Sequence, residues 1–143
     1  MKKVSLGNLV SGILKAVPSA QLWQPDGKPY PRLLDFNAEG LKGRQGLYAV
    51  WHLGVRPQWL RVGATADLGG SLTGLKTAPW IALHENNAGV FAAWAFAPPA
   101  EAAGMARFLA EKLKPAFQME SCMNDLPIDV APRAVPLPPG TQP

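Results

Sequence analysis

Few residues in this sequence have side chains suited to chemistry, and their spacing narrows what that chemistry is. Cys122 is the only cysteine, so an internal disulfide and a thiolate metal cluster are excluded. No histidine lies near it in sequence to activate it as a nucleophile. His52 and His84 stand well apart, which argues against a zinc site. What remains is a short run of rings and cations: Tyr48, His52, Trp59 and Arg61. Strand alternation puts Tyr48, Val50 and His52 on one side of a first strand, and Trp59, Arg61 and Gly63 on one side of a second. Each also has a structural reading, with Tyr48 as a half-buried strand residue, His52 and Arg56 as hairpin-end residues, and Trp59 as core. Trp51 and Trp94 read as core.

The elements that must position these residues can be read from periodicity. Leu6, Leu9, Val10, Ile13, Leu14 and Val17 recur at helical spacing before Pro18, so Ser5 to Ala16 reads as an amphipathic helix. Residues 24–31, with Pro25, Asp26, Gly27, Pro29 and Pro31, are turn chemistry. Leu47 to His52 and Trp59 to Ala64 read as strands, and the short link between them makes an antiparallel hairpin. Val90 to Phe96 is a third strand. Ala100 to Leu113 is a helix rich in Ala, Leu, Glu and Lys, ended by Pro115. Asp67 is a helix cap, but Gly69, Gly70 and Gly74 weaken the helix it would start, so a short or irregular helix is expected between Asp67 and Ala82. The expected fold class is α+β: a small central antiparallel sheet of about three strands flanked by helices, with an extra N-terminal helix. Residues 1–124 read as one domain. From Asp125 the chain is Pro-rich, and 125–143 reads as an extended C-terminal tail, mobile at its end.

Onto this order falls a set of motifs. Gly46-Leu47-Tyr48 opens the first strand, Arg61-Val62-Gly63 lies in the second, Thr65 and Leu68 come next, and the last helix leads to Pro115-Ala116-Phe117-Gln118. Together these resemble the GIY-YIG nuclease superfamily over 46–118, about half the chain. The resemblance implies a scaffold for metal-assisted phosphodiester cleavage, with tyrosines at the nucleophile, an arginine on the phosphate and a helix glutamate on the metal. Tyr48 keeps the first tyrosine, but the second tyrosine position holds Arg61. The family arginine position reads Ser71, with Lys76 the nearest downstream cation, a point charge rather than a clamp. The metal-glutamate position reads Ala106. Glu101 and Glu111 lie five residues to either side, about 500° of helix rotation, and point elsewhere. The final asparagine reads Gln118. The resemblance therefore implies a scaffold without catalytic residues, metal or cofactor. In the family register Tyr48 and Arg61 are neighbours, and Tyr48, His52, Trp59 and Arg61 then make a stacking and anion-binding surface of the kind that holds single-stranded nucleic acid. Thr65, Lys76 and Gln118 complete the candidate ligand-binding set.

Composition sets the remaining bounds. The chain has 143 residues, 48% hydrophobic and 17% charged, with 15 prolines and 14 glycines, which suits one core built of short elements. A net charge of +4 permits DNA or RNA as a partner without demanding it. The rival partner is a protein, docking through the N-terminal helix or the tail. A third reading is a rearranged hydrolase that recruits Glu85, Glu101 or Glu111 for metal. Residues 4–17 are too polar for a signal peptide and too short for a membrane span, so a cytoplasmic protein with no membrane partner is expected.

Overall fold

A computed structural model describes residues 23–25, 29–85, 89–120 and 124–138. The expected N-terminal helix over 5–16, Cys122 and the end of the tail lie outside them.

The sheet has three strands, β1 (Gly46–His52), β2 (Gln58–Thr65) and β3 (Val90–Phe96), all antiparallel, in the order β2-β1-β3. The helices are α1 (Leu68–Leu75), α2 (Pro79–Glu85) and α3 (Pro99–Leu113), and two 3-10 turns precede β1. This is the expected α+β class, with strand bounds within one residue of the sequence reading. Every residue of β1 is buried. A strand covered on both faces needs an apolar residue at nearly every position, which is why Gly-Leu-Tyr-Ala-Val-Trp-His shows no polar alternation. One face, with Leu47, Ala49 and Trp51, packs on Ala102, Ala106 and Leu109 of α3. The other, with Tyr48 and Val50, packs on Leu68 and Leu72 of α1 and on Ile81 of α2.

Two helices occupy the stretch where one irregular helix was expected. Asp67 caps α1 by accepting the Gly70 N–H. One of the glycines that weaken α1 has a packing reason: a Cβ on Gly69 would stand 2.7 Å from the Lys42 nitrogen and 2.8 Å from the Ala38 oxygen. A 3-10 turn thus lies directly against the helix backbone.

The sheet edges are covered by the chain itself. Along β2, the Trp59 and Leu60 carbonyls accept the Ala116 and Phe117 N–H groups, and Ala64 accepts that of Leu126. Along β3, Gln24 and Trp94 exchange two backbone bonds, and Pro31 accepts from Ala92. The C-terminal segment is extended, as expected, but it is docked over 125–138. Leu126 and Ile128 pack on the α3 face, Val135 is buried there, Arg133 N–H donates to Gly104, and the Trp23 indole donates to Pro136. Three satisfied polar groups and a row of apolar contacts hold it down, which proline content alone does not reveal.

Candidate functional site

Four of the seven expected site residues converge. Tyr48 and Gly63 face each other across β1 and β2, and Val50 pairs with Arg61. The guanidinium Nε of Arg61 donates to the Tyr48 oxygen at 3.1 Å, and its NH2 to Asp125 Oδ2 at 3.1 Å. Tyr48 donates to the same carboxylate oxygen at 2.5 Å. Arg61 NH1 turns the other way, onto the carbonyls of Phe117, Gln118 and Glu120. Ser71 Oγ lies 3.0 Å from Asp125 Oδ1 and 2.8 Å from Thr65 Oγ1, with one proton to give. Thr65 donates to the Asn124 carbonyl and accepts the Asp67 N–H. Gln118 clamps the edge of β2 with both ends of its amide, accepting the Val62 N–H and donating to the Val62 carbonyl.

Gly63 makes room for this cluster, since a Cβ there would stand 2.6 Å from the Tyr48 oxygen and 2.7 Å from Asp125 Oδ2. Tyr48 is fully buried, and the Arg61 and Asp125 side chains are each 7% exposed. The expected stacking surface is therefore not a surface. Its phenol and guanidinium are turned inward onto a carboxylate from the chain's own C-terminal segment. A buried guanidinium needs a counter-charge and acceptors for its N–H groups; Asp125 supplies the charge, and Tyr48 with the Phe117, Gln118 and Glu120 carbonyls supplies acceptors.

The other three expected residues lie elsewhere. A β-bulge at Val50/Trp51 breaks the alternation, with Leu60 as the extra residue. It moves Trp59 to the opposite face from Arg61, edge-on to Trp51 at 5.5 Å. His52, at the end of β1, stacks flat on His84 of α2, ring centroids 4.8 Å apart. Lys76 donates to the Phe36 carbonyl beyond the end of α1. The position of Ala106 is on the α3 face, across the sheet from Tyr48. Glu85, Glu101 and Glu111 form ion pairs with Arg32, Arg133 and Arg107. Among the described residues no three His, Cys, Asp or Glu side chains come together.

Beside the cluster opens a cleft of about 710 Å³ between α1, α2 and the residues Phe117, Glu120 and Asn124. Ser71, Gly70 and Asn124 form its end nearest Asp125, and Leu75, Trp80, Leu83 and Phe117 its apolar walls. Glu120 is the only charged residue among its described lining. Trp80 and Phe117 stack at 4.8 Å, and Phe117 meets the edge of His84 at 5.5 Å. Burial, then the neighbouring His52, holds the His84 imidazole below its usual pKa. Asp67 is held below the usual carboxylate range by the N–H groups of Gly43 and then Gly70.

The residues that sequence reasoning missed are Asp125, Ser71 as a hydrogen-bonding partner, Trp80 and Phe117. One signal was present for Asp125: Arg61 sits inside an apolar strand and requires an acid from somewhere distant. Comparison with protein-family models, with curated proteins and with solved structures gives no match for this chain. Among the described residues no helix is long and apolar enough to cross a membrane.

Proposed function

We propose that this chain is a non-catalytic binding domain on a GIY-YIG-nuclease-like scaffold, and that its ligand is a protein segment seated in the Trp80–Phe117 cleft. The element order and the Tyr48–Gly63 pairing support the scaffold. Ser71 and Ala106, at the positions where the family places its phosphate and metal residues, support the absence of catalysis. The observation that carries the choice of ligand is the described lining of the cleft, mostly apolar side chains with Glu120 as the one charge among them. A nucleic-acid groove needs cations along it. Of the 14 Lys and Arg, Lys2, Lys3, Lys15 and Lys28 fall in residues 1–28 against Asp26 alone, so most of the +4 charge belongs to that stretch and not to the cleft.

Nucleic acid is the alternative, favoured by those four lysines and by the half-buried, stacked Trp80–Phe117 ring pair. Selection from a displayed peptide library, run beside titrations with single- and double-stranded DNA and RNA at low salt, separates the two. Peptides that bind the full chain and are lost with Trp80→Ala are the expected result. Steeply salt-dependent oligonucleotide binding with no peptide enrichment would overturn the protein reading.

A further inference from the structure

The polar groups around the cleft suit a cation. Glu120 is exposed, and its carboxylate pairs with no cation among the described residues. The chain's nearby cations are engaged elsewhere: Lys76 donates to the Phe36 carbonyl, and Arg61 is bound to Asp125, Tyr48 and three carbonyls. The stretches next to the cleft add no charge, since 121–123 read Ser-Cys-Met and 86–88 read Asn-Asn-Ala. The hydroxyl protons of the lining are spent inside the chain. Thr77 donates to the Gly74 carbonyl, and the one proton of Ser71 goes to Asp125 or Thr65. Both oxygens therefore offer a ligand only lone pairs. The side-chain donors of the lining, the Trp80 indole and the Asn124 amide, are uncharged. Gly74 and Leu75 bring the C-terminal end of α1 to the cleft, and a helix C-terminus carries partial negative charge.

The rings beside that carboxylate narrow the choice of cation. Glu120 stands one turn from Phe117, its N–H donating to the Phe117 carbonyl, and Phe117 stacks on Trp80 with planes 16° apart. Stacking uses one face of each ring, and Trp80 is half-buried. A guanidinium is planar and weakly hydrated. It lies flat on an aromatic face while its fork of N–H groups meets a carboxylate. A lysine ammonium is compact and strongly hydrated, and it gains less from a ring. Leu83, 67% exposed in the wall of the cleft, offers cover to an apolar side chain next to the cation.

We propose that the segment seated in the cleft presents an arginine, its guanidinium held by Glu120 and the Trp80 ring, beside an apolar residue that covers Leu83. This rests on reading the cleft as the seat of a protein segment, and it adds the chemistry by which that segment is chosen. The ring pair and the leucines supply contact area, which many sequences can use. The one carboxylate supplies discrimination, because a segment with an acid at that point meets a like charge.

The test titrates the labelled full chain with acetyl-Leu-Arg-amide and with its lysine and uncharged citrulline counterparts. The readout is the NMR signal of the Trp80 indole, assigned through Trp80→Phe. The expected result is a saturating shift with the arginine probe that weakens with salt, and binding about tenfold weaker for citrulline. Glu120→Gln should erase the difference between arginine and citrulline. Glu120→Lys should turn the preference toward acetyl-Leu-Glu-amide. The Glu120 side chain is exposed and bonds to no described residue, so both variants keep the fold. Equal binding of citrulline or lysine, or an arginine preference that survives Glu120→Gln, overturns the proposal. Library peptides that lack arginine, and that need Trp80 but not Glu120, overturn it too and leave the cleft as a protein seat. If neither the probes nor any library peptide moves the Trp80 signal, both readings fall.

Discussion

Two adjacent regions of this molecule have exchanged the roles their side chains advertise. The Tyr48–Arg61–Asp125 cluster holds the polar and charged groups usually associated with recognition, and it is sealed. The cleft next to it holds Trp80, Leu83 and Phe117, which are core residue types, and it is open. The two regions meet at Ser71 and Asn124. Polar side chains can be structural when the chain brings them partners, and apolar ones are available to a ligand when the helix carrying them has no cover.

Breaking the sealed region should cost the most. Arg61→Met leaves the Asp125 carboxylate buried and unpaired, and a loss of about 3–5 kcal/mol is expected from urea denaturation. Adding Asp125→Leu to that variant should recover much of the loss, because a buried ion pair replaced as a unit leaves no orphan charge. If Arg61→Met alone is neutral, the cluster does not hold the C-terminal segment. Tyr48→Phe removes one oxygen bonded to two charged groups, for about 1.5–3 kcal/mol in the same measurement. Gly63→Ala forces a methyl into the space of the Tyr48 oxygen and Asp125, at about 1–3 kcal/mol of overpacking.

The open region should respond to pH and ligand and little to denaturant. His84 has a lowered folded-state pKa, so the folded state binds its proton less readily than the unfolded one. Stability is then present above the unfolded value and lost as pH falls through it. A thermal scan should show the melting temperature falling between about pH 7 and pH 5, with a flatter slope for His84→Phe; an unchanged slope would separate the histidine pair from stability. Smallest in stability is Trp80→Ala, expected within about 1 kcal/mol of wild type because the side chain is half-buried. Its effect on peptide capture should be large, and a variant that is unstable yet still binds would reverse the comparison.

The strands, the Asp67 cap and α3 were legible because each rests on local chemistry: an apolar run after Gly46, a hairpin link, and an Ala/Leu-rich stretch closed by Pro115. The faces were less legible. Strict alternation places Trp59 beside Arg61, and a single extra residue, Leu60, undoes that without leaving any mark in composition. Tyr48, Arg61, Thr65 and Gln118 were found as a set, yet their use was not, because Asp125 arrives from a Pro-rich stretch that carries no periodic signal. The partner of a buried charge is a tertiary fact, and only the need for one can be read from a strand. Helix α2 was hidden for a similar reason, since seven residues with one buried position give periodicity little to act on.

The covering of both sheet edges has a consequence for how the chain can be cut. Ala116, Phe117 and Leu126 occupy outer hydrogen bonds of β2, and Gln24 with Pro31 occupy those of β3. A partner cannot join this sheet by adding a strand while those segments are in place. A fragment ended before residue 116 would expose the β2 edge and the Arg61 side chain together. Such a fragment is an assembly hazard, prone to pair edge to edge with its copies, so any dissection of this protein has to keep its Pro-rich end.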